Sequence, residues 1–171
     1  MKKLMIASAI AMTMAAGSAM AQQGQVQFFG NVSSVTCDVT PEVGGNVTNL
    51  VQLGTVTAGG TGDEVPFTLK ASNPSGGQCG SLTGKTATIA WESAAFNAQG
   101  LGATGGLAQD AYVILKPSNG RVSTAIAQGN QSSTFDATKA TSEGFGFTAQ
   151  LKAGSAEGDF SSAAAFAVSY K

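Results

Sequence analysis

Two cysteines, Cys37 and Cys79, and no histidine set the limits on the chemistry available to this chain. Without histidine there is no Ser-His-Asp or Cys-His arrangement to activate a nucleophile. A two-cysteine metal site has no imidazole to complete it. Gly84-Lys85-Thr86 has the look of the end of a phosphate-binding loop, but the glycine that should open that loop falls at Cys79, so the match fails. Asp63-Glu64 and the pair Glu157 and Asp159 sit among turn residues and read as solvated loop carboxylates. Asn31-Val32-Ser33 and Asn46-Val47-Thr48 fit the glycosylation pattern, which the export signal described below makes a coincidence. The residues point away from an enzyme, with no catalytic group, metal or cofactor expected.

The N-terminus sets the compartment. Lys2 and Lys3 precede an apolar run from Leu4 to Ala16, and Ala19-Met20-Ala21 offers small residues at the positions a signal peptidase reads. Residues 1–21 form a secretory signal, with cleavage expected before Gln22; the run is too short to span a bilayer comfortably. Export to an oxidising compartment turns an even cysteine count into one expected disulfide, Cys37–Cys79. The signal carries two of the nine basic residues and none of the ten acidic ones, which leaves a net charge of −3. Such a chain has no electrostatic reason to bind nucleic acid or anionic lipid.

The elements that would position these residues are strands. Val26, Phe28, Gly30 and Val32 alternate with Gln25, Gln27, Phe29 and Asn31 at period two. Leu50–Val56, Val65–Ala71, Thr86–Trp91 and Ala111–Lys116 are further runs of β character. Pro117-Ser118-Asn119-Gly120 reads as a tight turn that joins Ala111–Lys116 to Arg121–Ala127 in a hairpin. Phe145, Phe147, Ala149 and Leu151 alternate again, as do Ala164, Phe166, Val168 and Tyr170. Many short strands separated by Gly-, Ser- and Asn-rich turns predict a single all-β sandwich over residues 37–171. Alternation alone leaves the segment 22–36 readable as an ordinary first strand of a closed sandwich.

The two ends, taken together, resemble chaperone–usher pilins. Val26 to Val32 matches that family's Val-x-Phe-x-Gly-x-Val segment a few residues before the first cysteine. Val51-Gln52-Leu53-Gly54-Thr55-Val56 is similar to its next strand, and Phe67-Thr68-Leu69-Lys70 to the strand that leads to its second cysteine. Tyr170 matches the penultimate tyrosine, and Gly158 the glycine fourteenth from the C-terminus. The match is nearest to major shaft subunits of the type 1 pilin kind and loosest between Trp91 and Ala140. It implies an incomplete immunoglobulin-like sandwich completed in trans by a donor strand, Val26, Phe28, Gly30 and Val32, from residues 22–36 of a neighbouring subunit. It also implies a C-terminal strand, with Gly158, Ala164, Phe166, Val168 and Tyr170, to which a periplasmic chaperone docks first. Identical or related subunits, the chaperone and an outer-membrane usher are the partners implied, in an extracellular fimbria on the cell surface. The alternative is a minor or adhesive subunit that binds a host glycan or protein receptor; Trp91, Tyr112 and the 97–106 loop are its candidate contacts, with core packing the competing role for the two aromatics.

Overall fold

The computed structural model describes residues 37–171. The signal segment and the expected donor residues Val26, Phe28, Gly30 and Val32 lie outside the described residues. Eleven strands follow in chain order: β1 (Val39–Val43), β2 (Asn46–Val47), β3 (Thr61–Ala71), β4 (Thr86–Glu92), β5 (Leu101–Gly102), β6 (Gly105–Gly106), β7 (Tyr112–Pro117), β8 (Ser132–Asp136), β9 (Phe145–Lys152), β10 (Phe160–Ser161) and β11 (Ala165–Tyr170). One sheet has the order β2-β1-β3-β9-β7-β5, a second β11-β4-β8, and β6 pairs with β10 in a two-stranded ribbon. Every pairing is antiparallel. The result is an all-β sandwich of the immunoglobulin-like kind.

Period-two alternation builds the core. Ala87, Ile89 and Trp91 of β4 are buried, as are Val113 and Leu115 of β7 and Phe145, Phe147, Ala149 and Leu151 of β9. Their rings interlock across the sheets. Trp91 meets Phe147 edge-on at 5.2 Å and Phe67 at 6.2 Å, and Phe135 of β8 lies 5.1 Å from Phe145. Such geometries add about 0.5–1.5 kcal/mol each beyond the area they bury. Cys37 and Cys79 are disulfide-bonded, with Cα atoms 4.8 Å apart. The bridge ties the start of β1 to a short 3₁₀ turn, Gly77–Ser81.

Two sequence expectations need correction. Arg121–Ala127 is not a strand: β7 instead lies between β9 and β5, paired with β9 from Tyr112↔Lys152 to Pro117↔Phe147. Only the single bridge Leu115↔Ile126 survives of the expected hairpin. The chain after the turn crosses to the other sheet, where the Arg121 N–H donates to the Thr134 carbonyl of β8 at 2.8 Å. Leu50–Val56 is also not a strand in the described fold. Val51, Leu53 and Val56 pack against the core, but no hydrogen bond joins the backbone of residues 51–56 to another described residue. A strand is defined by its ladder, and this segment has no ladder partner among the described residues.

Candidate functional site

The segment that lacks a ladder forms one wall of an open apolar groove of about 1300 Å³. Its floor is the sandwich core itself: Phe67 and Leu69 of β3, Trp91 of β4, Val113 and Leu115 of β7, and Ala149 and Leu151 of β9. One wall is residues 49–58, from which Val51, Leu53 and Val56 pack inward while Gln52, Gly54 and Thr55 face solvent. The other wall runs from Ala156 through Phe160 to Phe166. Glu157 and Asp159, read from sequence as loop carboxylates, line this wall near one end.

The C-terminal residues singled out by sequence divide between strand and loop. Phe166, Val168 and Tyr170 lie on β11, which pairs with β4 from Ala165↔Glu92 to Tyr170↔Ala87 and forms the edge of its sheet among the described residues. Val168 and Tyr170 are buried, and Phe166 is half-buried with its ring 5.7 Å from Trp91. Ala164 precedes the strand by one residue and lines the groove. Gly158 is not on the strand. It sits in the loop before β10 with φ at +135°, and a Cβ there would approach the Leu107 Cβ to 2.5 Å. Glycine is required for both reasons, because that φ is strained for an L-residue and the space is taken.

Two specific contacts lie outside the groove's lining, one toward each end. At the Cys37 end, the Tyr170 hydroxyl donates to the Cys37 carbonyl at 2.9 Å in a buried hydrogen bond. Burial, reinforced by the nearby Asp38 carboxylate, pushes the Tyr170 phenol up to about 12. At the other end, the exposed Asp110 carboxylate accepts from the Ser155 N–H at 2.7 Å, the Ser155 hydroxyl at 2.9 Å and the Ala156 N–H at 3.2 Å. These bonds, the Ser155 hydroxyl first, hold its carboxyl below the usual range. Sequence reasoning did not single out Asp110, since a lone aspartate between turn residues carries no spacing signal.

The other candidates do not gather into a site. Trp91 is buried in the core, with its indole N–H lacking a hydrogen-bond partner among the described residues. Tyr112 stands on β7 and is half-buried. The 97–106 segment is not a free loop: it carries β5, paired with β7, and β6, paired with β10, and a side chain at Gly100 would overlap the Val113 carbonyl. Among the described residues no group of three or more potential ligands could hold a metal ion.

In this groove an unladdered backbone segment and apolar side chains lie side by side. No family model matches the chain. It is 54% identical to the F107 fimbrial protein of Escherichia coli over 172 residues, covering the whole of both chains. It is 33% identical to the K99 fimbrial protein of Escherichia coli over 184 residues, 99% of each. Full-length identity at these levels, on an immunoglobulin-like sandwich with an open groove, places the chain in the fimbrial proteins, as a subunit of the chaperone–usher type that belongs to an extracellular surface appendage.

Proposed function

We propose that this chain is a structural subunit that polymerises by strand exchange. Residues 22–36 of each incoming subunit enter the groove of the preceding one and build the ladder that residues 51–56 lack. The observation that carries this reading is the groove beside that unladdered segment. An open edge beside apolar pockets is an aggregation hazard unless a strand covers it. A periplasmic chaperone covers it first, and an outer-membrane usher exchanges the chaperone's strand for the incoming subunit's. The donor face Val26, Phe28, Gly30 and Val32 supplies apolar or small side chains at alternate positions, as a pocketed groove demands. Gly30 marks the point where the groove is too shallow for a side chain. Glycine within a strand costs about 0.5–1 kcal/mol relative to alanine, and its presence there signals close approach.

A peptide spanning Gly24–Ser34 added to the chain purified with its chaperone tests this. On a native gel the peptide should displace the chaperone. Trp91, the one tryptophan of the chain and part of the groove floor, should change its emission as the groove fills. A Gly30→Leu peptide should fail, because overpacking a fitted interface costs about 1–3 kcal/mol. A Gln27→Ser peptide, altered on the opposite face, should behave as wild type. Displacement by the leucine peptide at the wild-type rate would overturn the assigned register.

A further inference from the structure

The contacts that flank the two ends of the groove differ in chemistry. The chain's own N-terminal segment leaves from Cys37, beside Tyr170. The Asp110 end lies at the opposite end of β3: Thr61 pairs with Lys152 there, whereas Ala71 pairs with Val39 next to Cys37. Ten strand steps separate the two ends, roughly 33 Å. In a head-to-tail chain of subunits, a donor segment must enter with its root, the residues nearest its own Cys37, at the Asp110 end.

Asp110 joins two loops that both line that end, Ala108–Ala111 and Ala153–Asp159. Its carboxylate gathers two backbone N–H groups and one hydroxyl from Ser155 and Ala156. Gly154 is the residue that allows the approach, since any side chain there would overlap the Asp110 carboxylate. Besides this clasp, the 153–159 loop is held by the Ala153 N–H bond to the Gly60 carbonyl at 3.0 Å, the Gly59 N–H bond to the Gly154 carbonyl at 2.6 Å and the Leu107 and Ala108 N–H bonds to the Asp159 carbonyl, so that Ser155 and Ala156 between them depend on Asp110. We propose that Asp110 is a positioning residue for strand exchange: it fixes the 153–159 wall so that the groove grips the root of the incoming segment, Val32 and Ser34, and leaves the grip on Val26 and Phe28 to the Cys37 end. The proposal rests on the strand-exchange reading above.

The test uses the full chain, wild type and Asp110→Ala, with two dye-labelled peptides, Gly24–Ser34 and the root-truncated Gly24–Gly30, and follows release by anisotropy. Asp110→Ala should release the long peptide about fivefold faster and leave release of the short one unchanged, the difference residing in the off-rate. Asp110→Asn, which keeps one acceptor oxygen for the loop amides, should fall between and keeps the test open if the alanine variant does not fold. Equal acceleration of both peptides means general loosening and overturns the proposal, as does no acceleration of the long one. Failure of the wild-type chain to capture either peptide would sink the strand-exchange reading instead, and the clasp's role with it.

Discussion

The Tyr170 hydroxyl and the Cys37 carbonyl, 133 residues apart in sequence, form a buried hydrogen bond of 2.9 Å. It closes the end of β11 onto the root of the N-terminal segment, next to the Cys37–Cys79 bridge. Tyr170→Phe leaves the Cys37 carbonyl buried without its donor, and should cost about 1–3 kcal/mol at neutral pH. The pH dependence is the sharper test. The folded-state phenol titrates at about 12 rather than 10, so the neutral form is the one the fold favours. That stability is fully present below pH 10 and is lost as pH rises towards 12, since the unfolded chain ionises first. Urea midpoints of wild type and Tyr170→Phe should therefore converge across this window. A constant gap would mean that the hydroxyl is not held as described.

Gly158 should not tolerate a side chain. Its φ of +135° and the 2.5 Å approach of a Cβ to Leu107 act together, so Gly158→Ala should lower stability by about 1–3 kcal/mol. Leu107→Gly in the same chain should recover the steric share and not the dihedral share. Full recovery in chemical denaturation would show that the backbone there is unstrained.

Asn119 uses both ends of its amide. Its Nδ2 donates to the Gly144 carbonyl at 3.0 Å, and its Oδ1 accepts from the Gly146 N–H at 2.8 Å. Asn119→Asp turns an oxygen on the Gly144 carbonyl and should destabilise by about 1–3 kcal/mol despite near-identical shape. A denaturation midpoint unchanged from wild type would refute this pairing.

The disulfide closes a 42-residue separation and should stabilise by about 4 kcal/mol in the chain-entropy model. Replacing both cysteines with serine measures it in one step. The intact mass of the exported protein, taken without reductant, should be lower than that of the reduced chain by two hydrogens. Thiol labelling of the native protein at either position would contradict the bridge.

Sequence alone determined what local chemistry encodes. Alternation at β4, β9 and β11 is a property of neighbouring residues, and burial on one face of a sheet writes it directly into the chain, so these strands were legible within a residue or two. The cysteine pair was legible because export and an even count leave little else for it to do. What tertiary structure decided were the partners. Arg121–Ala127 has strand composition, but after the Pro117–Gly120 turn the Arg121 N–H bonds to Thr134 of β8 in the other sheet, and only Ile126 returns to bridge Leu115 of β7. Leu50–Val56 has strand composition too, yet it lies along the groove without a ladder, because hydrogen-bond partners are set by the whole fold and not by the segment. The resemblance implied an incomplete sandwich, but the lining of its groove and the Asp110 clasp had no sequence signal, for the same reason. Their residues come from both sheets and from loops far apart in the chain, and no spacing in the sequence records that they meet.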